Sequence, residues 1–411
     1  MSQSCGSSLP SWEGERKNRK DPPRPLPAHP QPFTLSIDED VISDLRRRIA
    51  ATRWPDPAPG DPWSQGTDLN YLREFLHFWA DEFDWPEQQR SLNELHHFQC
   101  EIDGVRLHYI HERAREVTGV PLILTHGWPS CFVEYVKLIP LLIDPKFHAI
   151  EGTAFDVVVP SLPGYGFSQR PEAVGVNYAY VARLWNKLMT YLGYSRYGAH
   201  GGDFGSGVST LMALQEPDRL LGLHLTNLDI EPFEPGERPW TTAEREFLDE
   251  LDRWAETERG YSAIQSTKPQ TLGYGLNDSP VGLAAWILEK WRSWTDSNGD
   301  PGLRLSRDFL ATLLTIYWAT GSITSSMRDY FDNRWHGVEV NASTYVIVPT
   351  AIAVFGHQFV REAEPPREWV ERLYNVRRWS EMPAGGHFAP IEEPRRVAQD
   401  LAAFFADLAA L

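Results

Sequence analysis

The sequence is short of cysteine and of positive charge, and each shortage removes a class of protein. Cys5, Cys100 and Cys131 show neither pairing nor metal-ligand spacing, which excludes a disulfide scaffold and fits a reducing compartment. Lys and Arg number 39 against 56 Asp and Glu, a net charge of −17. A surface that acidic repels phosphate backbones and anionic lipid, so neither nucleic acid nor a membrane is an expected partner. No apolar run approaches the roughly 18 residues of a membrane span, and the N-terminus lacks a signal-peptide core. The chain therefore reads as cytoplasmic. What it has in quantity is core material: 42% hydrophobic residues and 16 Trp over 411 residues, enough for a large enzyme-like interior.

Pattern along the chain divides it into five parts. Residues 1–32 carry seven prolines and the basic cluster Arg16, Lys17, Arg19 and Lys20, and read as a disordered or surface-draped arm. Residues 33–100 read as a helical extension. In it Val41, Ile42, Leu45 and Ile49 follow helical spacing behind Ser36 as N-cap, and a second helix spans roughly 69–83. Over 101–231 strands alternate with helices: strands at 105–111, 121–125, 155–160, 197–200 and 221–226, helices at 180–192 and 207–215. That alternation predicts a mostly parallel sheet covered on both faces. Residues 232–333 lose the strand rhythm and read as a helical lid, with helices at 242–257, 281–294 and 306–319. Residues 334–411 return to the sheet pattern, with strands at 345–355 and 376–379 and a closing helix at 395–409. The fold class expected is α/β, with the lid inserted over the sheet's carboxyl edge, where open α/β sheets bind ligands.

Three short motifs carry chemistry. Gly201-Gly-Asp203-Phe-Gly205, between a strand and a helix, has the form of a nucleophile elbow with Asp in place of Ser. A carboxylate there can attack an electrophilic carbon and form an ester with the enzyme. Gly385-Gly-His387-Phe388 lies late in the chain, and the order nucleophile-then-histidine makes His387 the candidate base. His126-Gly-Trp128-Pro129 directly follows a strand, where a backbone N–H of Trp128, with that of Phe204, can form an oxyanion hole. Taken alone, the elbow could be an ordinary turn, His387 structural and Trp128 core.

With these motifs the sequence resembles the epoxide hydrolases of the α/β-hydrolase superfamily, of the microsomal and juvenile-hormone type in a soluble bacterial form. The likeness runs from about Pro32 to the C-terminus. It also includes Pro160-Ser-Leu-Pro-Gly-Tyr-Gly-Phe-Ser168, Tyr261-Ser-Ala-Ile-Gln-Ser-Thr-Lys-Pro269, Asn277-Asp-Ser-Pro-Val-Gly-Leu-Ala-Ala-Trp286 and Ser325-Ser-Met-Arg-Asp-Tyr330. The resemblance implies the α/β-hydrolase fold with the lid after the sixth strand, and no metal or organic cofactor. It implies that Tyr261 and Tyr330 donate to the epoxide oxygen, that Asp203 forms an alkyl ester, and that His387 activates the water that releases a vicinal diol. Haloalkane dehalogenases share the nucleophile but carry Trp after it, where Phe204 stands here. Aromatic lid residues permit a bulky aryl or polycyclic epoxide, and a homodimer is compatible with the sequence.

One position departs from the family. The acid partner of the histidine is expected three residues after Phe355, and Gln358 stands there. An amide can hold the imidazole tautomer but cannot neutralise an imidazolium. Three readings follow: Asp229, after the 221–226 strand, supplies the acid; or Glu362 or Glu364 folds back; or no acid exists. The last would leave a biosynthetic enzyme giving a non-hydrolytic product, by rearrangement or an internal nucleophile. A silent binding protein that keeps the pocket is the remaining alternative.

Overall fold

A computed structural model describes residues 30–115, 118–228, 233, 238–338, 340, 341 and 343–409. Most of the Pro-rich arm, the start of the 232–333 segment and Asp229 lie outside these residues.

Among the described residues nine strands form one sheet: β1 (Gln31–Pro32), β2 (His97–Ile102), β3 (Val105–Glu112), β4 (Val120–Thr125), β5 (Phe155–Pro160), β6 (Tyr197–Asp203), β7 (Leu220–Leu228), β8 (Val346–Val354) and β9 (Tyr374–Glu381). Their order is β1-β2-β3-β5-β4-β6-β7-β8-β9. The first three pair antiparallel and the rest are parallel. Phe155, Val157, Val158 and Val159 are fully buried, as are Leu122 and Ile123, because helices cover both faces and leave no side for polar alternation. The strand order reverses at β4, which lies between β5 and β6, and this switch point opens a crevice beyond the strands' carboxyl ends. The Thr125↔Gly201 pairing brings the loops after β4 and β6 together there.

Two sequence expectations need correction. The 33–100 segment is not helical to its end: β2 pairs in register with β3, and Gln31–Pro32 of the supposed arm add an edge strand to it. The first helix runs Glu39–Ala50 with Asp38, not Ser36, at its N-cap. The lid follows β7, which is the sixth strand when the two-residue β1 is left aside. Its helices are started by local chemistry: a capping box of Thr241 and Glu244 opens Thr242–Glu258, Ser279 caps Pro280–Trp294, and Ser306 caps Arg307–Thr320. The N-terminal helices brace this lid. Trp79 Nε1 donates to Thr315 Oγ1 at 2.9 Å, and Thr67 Oγ1 donates to the Ala285 carbonyl at 2.7 Å. Among the described residues no helix is long and apolar enough to cross a membrane.

Candidate active site

Asp203 ends β6 and caps the helix Phe204–Gln215 with φ 53° and ψ −132°, a left-handed conformation that costs a non-glycine residue of the order of 1–3 kcal/mol. Close packing holds it there. A Cβ on Gly205 would lie 1.9 Å from the Thr125 carbonyl oxygen, and one on Gly127 only 2.2 Å from Asp203 Oδ1. The loop at Gly127 and the first turn of the helix at Gly205 must therefore be glycine at the point of contact.

The carboxylate is held by two backbone donors. The N–H groups of Trp128 and Phe204 donate to Asp203 Oδ1 at 2.9 and 2.7 Å. The other oxygen, Oδ2, lies 3.3 Å from His387 Nε2, short of a well-aimed hydrogen bond. His387 sits in the loop before the short helix Ala389–Glu392, and its N–H donates to the Trp294 carbonyl at 2.8 Å. Glu392 accepts from the N–H groups of Asp296, Gly386 and Phe388, which fixes that loop. Burial acts to lower the His387 pKa, but the adjacent carboxylates of Asp203 and Glu362 outweigh it and raise it to about 10.

Above the carboxylate the lid closes an aromatic box. Tyr261, on the helix Gly260–Gln265, stacks on Trp128 with centroids 5.5 Å apart and planes 8° apart. Tyr330, on the helix Ile323–His336, meets Trp128, Phe204 and Tyr261 edge-on at 5.7, 4.8 and 5.8 Å. Burial, then the neighbouring Tyr261 and Asp203, hold the Tyr330 phenol well above its ordinary pKa, so it stays a neutral donor. Hydrogen bonds between lid elements set the two tyrosines in place. Trp286 Nε1 donates to Gln265 Oε1, and Trp335 Nε1 to the Ser266 carbonyl, each at 2.9 Å.

The structure thus brings Asp203, His387, Trp128, Phe204, Tyr261 and Tyr330 into one cluster. Residues 30–135 match the family model described as epoxide hydrolase N terminus, and residues 120–394 match that of the alpha/beta hydrolase fold. Epoxide hydrolase 1 of Sus scrofa is 39% identical over 402 residues, spanning 91% of this chain and 88% of that protein. The chain belongs to the epoxide hydrolase family. A putative epoxide hydrolase of Stigmatella aurantiaca is 37% identical over 381 residues, 92% of this chain and 85% of that protein. The crystal structure of juvenile hormone epoxide hydrolase from the silkworm Bombyx mori superposes with a TM-score of 0.84 at 31% identity, covering 93% of this chain and 95% of that one.

Within this epoxide hydrolase fold the histidine's partner is not where the family spacing puts it. Gln358 is buried, makes no bond to His387, and its side-chain carbonyl has no partner among the described residues. Glu362 is the group at His387: Nδ1 donates to Glu362 Oε2 at 3.4 Å. The loop after β8 reaches it because the N–H groups of Phe359 and Val360 are tied to the carbonyls of Thr295 and Ser293, at 2.9 and 2.8 Å. Those anchors carry the chain past the end of the lid helix and turn Glu362 back toward His387. Glu364 packs instead against Gly356. Asp229 lies outside the described residues.

The sequence placed Trp294 only among the aromatic lid residues, and Lys290 was not singled out. Trp294 lies 4.8 Å from the His387 ring and 5.3 Å from that of Tyr261. Lys290 is 6% exposed, with Nζ 4.8 Å above the Tyr261 ring. Their four-residue spacing on one helix face was the available signal. A surface cavity of about 560 Å³ is lined by Arg106, Phe167, Arg170 and Arg328, among others, and by none of the reactive residues.

Proposed function

We propose that the protein hydrolyses an epoxide to a vicinal diol through an ester on Asp203, with Glu362 as the acid that supports His387. The observation that carries this reading is the division of labour between the two Asp203 oxygens. Oδ1 already occupies the pocket formed by the Trp128 and Phe204 N–H groups, which leaves Oδ2 to attack. An ester formed through Oδ2 has its carbonyl oxygen in the oxyanion hole before water arrives.

Attack by Oδ2 breaks a carbon–oxygen bond of the epoxide, and the departing electron pair is met by a proton from Tyr261 or Tyr330. Esterification cancels the Asp203 charge that helped hold His387 protonated. The imidazolium then becomes acidic enough to return a proton to the tyrosine, and the neutral ring becomes a base. It deprotonates water, which adds to the ester carbonyl. The Oδ1 oxyanion is stabilised by the two N–H groups, and Glu362 balances the reformed imidazolium. Collapse expels the alkoxide, which takes the remaining proton of the added water. Diol leaves, and Asp203 is again a carboxylate beside a charged His387.

The non-hydrolytic alternative rested on a histidine without an acid, and Glu362 removes that ground. The aromatic box suits an aryl epoxide, for which styrene oxide is a simple probe. In a single turnover in oxygen-18 water, this mechanism puts the label into the Asp203 carboxylate and none into the diol. Label in the first-turnover diol would mean that water attacks the epoxide directly and would overturn the ester route.

A further inference from the structure

Both tyrosines of the box pack against Trp128, whose N–H donates to Asp203 Oδ1, but their surroundings differ in one respect. Tyr330 is enclosed by aromatic rings, whereas Tyr261 has a buried cation against it. Lys290 Nζ lies 4.8 Å from the Tyr261 ring centroid and 5.7 Å from that of Trp294. The ammonium is held by Glu289 at 2.7 Å and Glu258 at 3.8 Å. A lysine 6% exposed on the inner face of a lid helix is costly to keep unless its charge is used or fully paired. Here it is divided between two carboxylates on one side and two rings on the other.

We infer that Lys290 is a positioning residue that polarises Tyr261, making it the stronger of the two proton donors to the opening epoxide oxygen. This rests on the ester reading given above. A cation over a phenol ring is attracted to its electron-rich face, and the attraction grows as the phenol gives up its proton, because the ring then carries more negative charge. The interaction is therefore stronger when the oxygen has donated than before, which is the differential that lowers a barrier. Among the described residues no Lys or Arg lies over the Tyr330 ring, and burial keeps that phenol neutral. The geometry thus assigns unequal roles: Tyr261 gives the proton, and Tyr330 supports the oxygen by hydrogen bonding alone.

Other charged and titratable groups bear on Tyr261 from each element around it. Glu258 ends the helix Thr242–Glu258, and burial raises its pKa while Lys290 opposes the rise and Glu289 and Glu362 add to it. Glu289 precedes Lys290 on its own helix, Tyr330 approaches from the helix Ile323–His336, and His387 lies behind Trp294. Lys290 pairs with Glu258 and Glu289, while Glu362 pairs with His387.

The test is rapid-quench intact-mass measurement of adduct formation and decay with styrene oxide, on the full-length chain. Lys290→Met should slow adduct formation about tenfold and leave adduct decay unchanged. Lys290→Arg should restore most of the rate. The alkaline pH at which alkylation fails through Tyr261 ionisation should move upward in Lys290→Met, since the cation favours the ionised phenol. In a Tyr261→Phe background, Lys290→Met should have no further effect on alkylation. The double variant Lys290→Met/Glu289→Gln, which removes charge in pairs, serves if the single one is unstable, and should show the same loss. A folded variant that alkylates at the parent rate, or one that loses the same factor without the Tyr261 hydroxyl, would overturn the role of Lys290. An adduct that still forms on Asp203→Asn would instead overturn the ester reading, whatever Lys290 does.

Discussion

His126 and His387 are both buried beside Asp203, and their charges point in opposite directions. Burial pulls His126 down to about 4, and its ring is neutral, with Nδ1 donating to the Gly127 carbonyl and Nε2 accepting from the Leu162 N–H at 3.1 and 3.2 Å. Burial acts the same way on His387, yet Asp203 and Glu362 carry it to about 10. Desolvation is common to both sites, so the partners decide: neutral backbone dipoles in one case, two carboxylates in the other. His126 is accordingly a splint between the loops after β4 and β5. His387 is a group whose protonation follows the state of Asp203.

That contrast can be broken most severely at Asp203. Asp203→Asn should abolish turnover, by a factor on the order of 10⁶, as loss of a covalent nucleophile does elsewhere. It should also move His387 toward the neutral behaviour of His126, which an NMR titration of the ring would show. Glu362→Gln comes next. In a serine-protease triad the corresponding change costs about 10⁴, and here the loss should fall on ester hydrolysis, since alkylation needs no imidazolium to be neutralised.

The pH dependence of stability sharpens the comparison with a smaller effect. His126 has a folded-state pKa below its unfolded value of 6.5, so the unfolded chain binds more protons between about 4 and 6.5. Stability should therefore fall as pH drops through that window. His387 has its folded-state pKa raised from 6.5 to about 10, so its contribution is complete below 6.5 and is lost as pH rises toward 10. Each limb should have a slope of up to roughly 1.4 kcal/mol per pH unit per histidine. In urea unfolding across pH, His126→Gln should flatten the acid limb and His387→Gln the alkaline one. The smallest effect belongs to Gln358→Ala, which should change kcat by no more than about twofold, because the amide makes no bond to His387.

The parts of the fold legible in the sequence are those whose signal is local. The runs at Leu122–Leu124 and Val157–Val159 read as buried strands because helices cover both faces. The elbow at Asp203 and the Gly385-Gly-His387 loop were visible because small residues mark crowded backbone. β2 was missed although His97-Phe-Gln-Cys-Glu-Ile102 alternates polar and apolar residues, because the run is short and directly follows a helical stretch. Glu362 stood only as one of several acids, because its reach depends on Phe359 and Val360 binding carbonyls more than 60 residues away. Lys290 reads as a solvent-facing charge until the Tyr261 helix is folded against it.

In the proposed mechanism Glu362, not Gln358, sustains His387 as the base. That role is tested most directly by mixing Glu362→Gln, Gln358→Ala and the parent enzyme with styrene oxide and following the intact mass over time. An adduct on Asp203 should persist in Glu362→Gln and turn over promptly in the other two. An adduct that clears at the parent rate in Glu362→Gln, or one that persists in Gln358→Ala, would contradict that role.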